Sequence, residues 1–444
     1  METLSEGAVV TENGRLVSRT CEVPDVSYRA FLSGRGAPRI YWATPDGFEV
    51  VGVGAAAMVT ASGSDRFGSL QRDAVTLFEE ADSDGPEVAR PRAFGGLSFG
   101  DAHESASPWD GFPAAGFVVP RTTLTRAEGT TWLTVTEVVD EPDTDDIETE
   151  LERSRQRVVD LPMLRPTSDP PGVLATRLTA PREEWTEQVA RAVDRIRDGA
   201  LRKVTLATSM EVDLESELTI PAALERFRRT YPNCYRFLVQ PTDDAAFFGP
   251  PPERLVRLRG SRIETEALAG SMPRGETPTE DNGFADALVE SEKIRHEQQL
   301  VVDAIREQLE PIADVRCGDR GIRKLANIQH LHTPIRASLD TDVHVLEVVE
   351  ALHPTPAVGG LPLSKALATI EEIESFDRGW YAAPIGWFDG DGDGEFAVGI
   401  RSGVASGDRV TLFAGNGIVA DSDPDEEWEE VQPKFRPVLE ELER

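Results

Sequence analysis

The sequence predicts an α+β fold built in layers. Helical and extended segments are intermixed along the chain, most neighbouring strand candidates are joined by short hairpin turns rather than by crossover helices, and the clearest helix carries a single apolar face. Hydrophobic residues make up 39% of the 444, enough for the core of one large domain or two ordinary ones.

Taken in order, residues 1–135 read as many short strands separated by Gly/Pro turns, for example Glu49-Val-Val-Gly-Val and Gly116-Phe-Val-Val-Pro. Residues 137–155 are dense in carboxylates and read as a surface loop leading into a solvated helix. Residues 160–180 hold Pro162, Pro166, Pro170 and Pro171 among turn formers and read as a connector between a strand-rich amino-terminal region, 1–160, and a second region, 181–440. Beyond it, Pro181 and the acids Glu183 and Glu184 suit a first helical turn. Trp185, Val189, Val193 and Ile196 follow on one face, and Gly199 stops the helix. A strand from Lys203, further strands near 233–240, 245–249 and 254–258, and an extended Arg262–Leu268 follow. A long helix is expected over about 284–309, helices near 345–352 and 363–370, strands at 383–388, 395–401 and 409–414, and a last helix from about 424.

Charge excludes several functions. The formal net charge is -33, spread along the whole chain, so nucleic acid and anionic membranes are not expected partners. Lys203, Lys293, Lys324, Lys365 and Lys434 are the only lysines; every other cation is arginine. This pattern resembles proteins of extreme halophiles, in which about 1 M salt shortens the Debye length to roughly 3 Å and screens self-repulsion. No apolar run approaches a membrane span, and the acidic amino terminus carries no export signal, so a cytoplasmic location is expected. Cys21, Cys234 and Cys317 are far apart, with no metal-knuckle spacing.

Chemistry-bearing residues stand in several stretches, each with a plainer reading beside it. Lys203 opens an apolar strand; burial would lower its pKa and make it a general base, or its stem snorkels at a strand end. Glu253 sits on the proline-stiffened turn Gly249-Pro-Pro-Pro-Glu253, placed as a general acid or paired with Arg254 on the surface. Glu297 shares a helix face with Ile294, Val301 and Ala304, where a carboxylate needs a partner or a metal, unless it borders the stripe. Glu427, Glu430 and Lys434 recur at helical spacing; two carboxylates one turn apart suit Mg²⁺, or simply complement a helix dipole. Gly415 and Gly417 can bring backbone N–H groups close to an anion, and Arg401 ends a buried-looking strand where it requires a carboxylate partner. Asp389-Gly-Asp-Gly-Asp-Gly-Glu395 lacks the full calcium-loop pattern and reads as a hairpin turn, and His330-Leu-His332 lacks a third zinc ligand, leaving one of the two structural or substrate-facing.

Each signal is weak alone, but their order is specific. Lys203-Val-Thr-Leu-Ala, Phe248-Gly-Pro-Pro-Pro-Glu253-Arg-Leu, Thr265-Glu-Ala-Leu-Ala-Gly270-Ser, Ser291-Glu-Lys293…Glu297, Gln329-His330-Leu-His-Thr333, Leu352-His-Pro-Thr-Pro-Ala357, Phe396-Ala-Val-Gly-Ile-Arg401, Ala414-Gly-Asn-Gly417 and Glu427-Trp-Glu-Glu430…Lys434 together resemble the chorismate-binding enzymes over about 185–437. The resemblance implies a large two-lobed layered sheet sandwich with flanking helices, chorismate as substrate, Mg²⁺ as cofactor, and a monomer with no obligate amidotransferase subunit. Lys203 stands where water-adding members carry a lysine, and Ala357 where isochorismate synthases carry alanine and pyruvate-eliminating members threonine. Phe94-Gly-Gly-Leu-Ser-Phe99…Trp109…Phe112 resembles the amino-terminal signature of the isochorismate synthase branch. Salicylate- or anthranilate-forming lyases and a non-catalytic relative are the competing readings.

On that resemblance Lys203 activates water, Glu253 protonates the leaving hydroxyl, and Glu297 and Glu430, with Glu427 close by, hold the magnesium ion. Arg401, Tyr381, Gly415 and Gly417 bind the enolpyruvyl carboxylate; Gly270, Ser271, His330 and Ala357 line the pocket; Lys434 joins the substrate-binding residues and adds positive charge against the dianion. The sequence departs from the family pattern at Thr208, Pro251, Ile294, Gln298 and Pro433, the last expected to disturb the helix before Lys434.

Overall fold

The computed structural model describes residues 14–139, 144–161, 169–325 and 328–443, with the side chains of 144, 271 and 293 excepted. The acidic amino terminus, the carboxylates of 140–143 and the first two prolines of the connector lie outside the described residues.

The strands form one branched, almost wholly antiparallel sheet. Ala115–Ala127 is its spine: Glu49–Ala61 pairs along one edge, while Arg92–Leu97 and then Thr130–Val139 share the other. One arm runs from Glu49–Ala61 through Arg39–Ala43, Arg236–Gln240, Ala246–Gly249, Gly403–Ser406 and Arg409–Ile418 to Lys203–Leu214 and Val173–Leu178. The other runs from Arg92–Leu97 through Pro384–Asp389, Gly394–Val398, Arg254–Arg259 and Arg262–Pro273 to Ile328–Leu339. Amino-terminal strands thus pair directly with strands beyond 181 in both arms. Phe117 packs on Phe388 and Phe396, and Phe237 on Phe247, within one contiguous apolar core.

Three expectations are corrected. The amino-terminal strands are not uniformly short: Glu49–Ala61 and Ala115–Ala127 each run 13 residues. Their Gly and Pro residues mark a bulge rather than turns. Pro120 lies over Gly52, where a Cβ would come within 2.5 Å of the proline ring, and the register shifts between Ala55 and Ala57. The connector contains the edge strand Val173–Leu178; its side chains are mostly exposed, so no hydrophobic alternation announces it. The long helix is two, Pro278–Glu290 and Glu292–Leu309, meeting at Ser291. Ser291 Oγ accepts the Ile294 N–H at 3.3 Å and caps the second helix.

Other elements fall as read. Helix Arg182–Arg197 buries Trp185, Val189, Val193 and Ile196, and Gly199 after it has φ +78°. Asp389-Gly-Asp-Gly-Asp forms the hairpin turn between Pro384–Asp389 and Gly394–Val398; Asp389 Oδ1 accepts the Asp391 and Asp393 N–H groups, each at 3.1 Å. Among the described residues no helix is long and apolar enough to cross a membrane. Cys21, Cys234 and Cys317 are free thiols.

Candidate active site

A cavity of about 400 Å³ lies between the arms, and every site residue chosen from the sequence whose side chain is described lines it. The Ser271 backbone pairs with His330, beside the cavity; its side chain is outside the described residues.

Lys203 enters from the first arm. It begins Lys203–Leu214, flanked by Gly360–Leu361 and Arg409–Ile418. The side chain is buried, which drives the amine toward neutrality, while Glu297 and Glu253 favour its charged form. Gly417 on the adjacent strand has to be glycine for this lysine: a Cβ there would lie 2.7 Å from Lys203 Cε and 3.1 Å from Nζ. Below Lys203 the strand is clamped. Thr205 Oγ1 donates to Ala357 O at 3.0 Å, and Arg378 donates to Thr205 O at 2.7 Å and Val358 O at 2.9 Å. Glu374 binds Arg378 Nε at 2.8 Å and accepts the Ala207 N–H at 2.7 Å. Both members of this ion pair are almost fully buried, at 3% and 2% side-chain exposure.

Glu253 enters from the second arm, on the turn before Arg254–Arg259. Only 7% exposed, its carboxyl is pushed up to about 8, first by burial and then by the nearby charge of Glu266; Lys203 and Arg323 pull the other way. Its surface pairing with Arg254 is overturned: Arg254 turns to Tyr235 Oη at 2.9 Å and to Glu264 and Glu395. Pro251, in place of the family's serine, accepts the Tyr235 N–H through its carbonyl at 2.9 Å.

Gly270 and His330 form the adjoining wall. Gly270 has φ +66°, and a Cβ there would lie 2.2 Å from Ile294 Cγ2, so no other residue fits. His330 Nδ1 lies 3.1 Å from Gly270 O, and burial drops the ring's pKa to about 3, keeping it neutral. His332 instead faces Glu266 at 3.0 Å. Gln298 points into the sheet, donating to Thr333 Oγ1 at 2.8 Å.

The carboxylates Glu297, Glu427 and Glu430 all line the same cavity. Glu427 Oε1 accepts from Ser422 Oγ at 2.7 Å and Oε2 from Asn416 Nδ2 at 2.9 Å, and burial raises its pKa. Helix Pro424–Val431 gives way to the tight turn Gln432–Phe435 at Pro433, as expected, yet Lys434 still reaches the cavity. Its ammonium donates to Gly415 O and Glu430 Oε1, each at 3.0 Å, and to Asn416 Oδ1. Among the described residues no three His, Cys, Asp or Glu side chains stand close enough to enclose a metal.

Arg401 and Tyr381 complete the lining. Arg401 has φ +54° and Ala382 φ +59°, left-handed values that non-glycine residues seldom take and that here both occur on the cavity wall. Arg401 forms no ion pair with any described residue, although an arginine at this place requires an anion. Tyr381 stacks on Phe413 at 5.1 Å.

Several contributors were not foreseen. Arg378, Glu374, Thr205 and Phe413 shape the site, and the amino-terminal block supports them from behind. Trp109 stacks on Phe413 at 5.4 Å, Arg378 lies over the Phe99 ring at 4.2 Å, and Phe99 N–H donates to Gly379 O at 2.7 Å. Glu374-Ser-Phe-Asp-Arg378 carried no local signal: it follows the end of helix Leu363–Ile373 and has Glu371, Glu372 and Asp377 for neighbours.

Comparison with known proteins identifies the family. The family described as chorismate binding enzyme matches residues 3–443. The chain is 36% identical over 416 residues to the salicylate biosynthesis isochorismate synthase of Pseudomonas aeruginosa, covering 92% of this chain and 85% of that protein. It is 32% identical over 413 residues to isochorismate synthase MenF of Bacillus subtilis, covering 90% and 87%. The structure of MenF, the menaquinone-specific isochorismate synthase of Escherichia coli, superposes with a TM-score of 0.82 at 27% identity, covering 99% of this chain and 97% of that one. The chain therefore belongs to the chorismate-binding enzyme family.

Proposed function

We propose that this chain is an isochorismate synthase, an isomerase that moves the hydroxyl of chorismate from C4 to C2. The observation that carries the reading is the pairing across one cavity of a buried lysine driven toward its neutral form and a buried glutamate driven toward its protonated form, the states a base and an acid must hold before reaction. Lys203 takes a proton from water as its oxygen bonds to C2; the ring double bonds shift; the C4–O bond breaks as Glu253 gives that oxygen a proton. One water enters, one leaves, and the proton gained by Lys203 must return to Glu253 before the next turnover.

Arg401 and the N–H groups near Gly415 and Gly417 would hold the enolpyruvyl carboxylate, with Tyr381 packed beside it. Glu297 and Glu430, both lining the cavity, are oxygen donors of the kind that would hold Mg²⁺, which takes one or two carboxylates and completes its shell with water and ligand oxygens. Glu427, whose two oxygens already accept protein hydrogen bonds, is better suited to holding the Asn416–Ser422 loop. Bound magnesium would neutralise the ring carboxylate and draw electron density from the diene. Lys434, donating to protein acceptors, fixes the Gly415–Asn416 backbone and Glu430 rather than touching substrate. Ala357 offers the cavity a methyl group without a hydroxyl, which favours retention of the enolpyruvyl group. The same reading makes the protein a cytoplasmic monomer; menaquinone synthesis as the route it feeds is supported by the likeness to the menaquinone-specific enzyme of Escherichia coli.

The test is incubation of purified protein with chorismate and Mg²⁺, followed for isochorismate and pyruvate. Isochorismate without stoichiometric pyruvate is expected; stoichiometric pyruvate would assign the chain to the lyases, and no turnover to the non-catalytic relatives.

A further inference from the structure

Glu266 is buried and uses its carboxylate in an unusual way. The ladder joining Arg254–Arg259 to Arg262–Pro273 is formed at Arg257–Arg259 opposite Arg262–Glu264 and goes no further. Beyond it the next two side chains take over the backbone groups that the ladder would have paired: Thr265 Oγ1 donates to Leu255 O at 2.6 Å, and Glu266 Oε1 accepts the Arg254 N–H at 3.1 Å. The Glu266 carboxylate therefore binds the peptide that follows Glu253. It also accepts from Arg323 Nη1 and lies 3.0 Å from His332 Nε2. These partners hold it firmly ionised, its pKa lowered to about 2 despite burial.

We propose that Glu266 is a positioning residue for the general acid: it anchors the Glu253 turn through the Arg254 N–H and, by facing Glu253 with a fixed negative charge, keeps that carboxyl protonated. The inference rests on the isochorismate synthase reading for its catalytic meaning, though not for its electrostatics. The charged groups acting on Glu253 are Glu266 on its own arm, Arg323 on the neighbouring strand Gly321–Lys324 and Lys203 on the opposite arm. Burial and Glu266 favour the neutral acid; Arg323 and Lys203 favour the carboxylate. Removing the charge of Glu266 leaves two cations opposed only by burial.

The experiment is a pH titration of the Glu253 carboxyl by infrared difference spectroscopy, its protonated C=O band identified by loss in Glu253→Gln. Glu266→Gln keeps an oxygen for the Arg254 N–H and removes only the charge; the band's midpoint should fall by about one pH unit or more. Arg323→Gln should move it upward, and decides the matter if Glu266→Gln does not fold. Midpoints coinciding with wild type overturn the proposal. In parallel, the alkaline limb of kcat/KM should shift down in Glu266→Gln with KM little changed. A shifted infrared midpoint in a protein that never turns over chorismate would sink the functional reading alone, and an unshifted midpoint in an active enzyme would sink this inference alone.

Discussion

The two walls of the cavity hold their key side chains by different means. The base wall is continuous sheet: Lys203 stands on a strand paired along both edges and clamped by a buried Glu374–Arg378 ion pair. On the acid wall the ladder stops short, and Thr265 and Glu266 side chains replace it beside a proline-rich turn. The difference suits the tasks. A lysine amine must be placed within reach of one water, which backbone pairing can do. A carboxyl that must stay protonated is favoured first by burial and then by a like charge nearby, which here a side chain supplies.

The largest effects should come from removing the two groups themselves. Lys203→Ala and Glu253→Gln should each lower kcat by about 10²–10⁴-fold with near-normal unfolding curves. A normal kcat in either variant breaks the assignment of that wall. Next, Glu374→Gln should destabilise the protein by about 3–5 kcal/mol, because it leaves the Arg378 guanidinium buried without its partner. Urea unfolding measures this, and a loss below 1 kcal/mol would mean that the clamp does not hold the base wall.

Gly417→Ala tests placement without touching either group. The new methyl displaces only the flexible end of Lys203, so kcat should fall about tenfold to a hundredfold while stability hardly changes. Thr265→Val, at the smaller end, removes the bond to Leu255 O from the acid wall and should cost about 1 kcal/mol of stability. Salt separates surface from cavity. Raising it toward about 1 M should raise the thermal midpoint by screening the net charge of -33, yet leave the alkaline limb of kcat/KM, set by buried Glu253 near about 8, in place. The sign follows from the acid: activity is present while Glu253 is protonated and is lost as pH rises through its pKa. Full stability in dilute buffer would contradict the halophile reading.

Much of this site was readable before the fold was known, because its groups come as short ordered blocks: a lysine opening a strand, a glutamate on a proline turn, glycines after a strand. The fold class was readable from hairpin spacing and from the Trp185–Ile196 stripe. The buttresses were harder to see. Trp109 behind Phe413 and Phe99 beneath Arg378 join segments hundreds of residues apart, and nothing local marks such contacts. Ser291 was hidden because apolar periodicity runs on through the break between two helices, and only its capping hydrogen bond shows where one ends. The partners of Lys434 were hidden for a similar reason: its acceptors, Gly415 O and Asn416 Oδ1, belong to the strand Arg409–Ile418 rather than to its own turn.

The most direct test of acid and base acting from opposite walls is turnover of chorismate in ¹⁸O-water. The account predicts isochorismate carrying one solvent oxygen at its C2 hydroxyl, with the enolpyruvyl group intact. Product without solvent label, or release of pyruvate in step with chorismate loss, would contradict it.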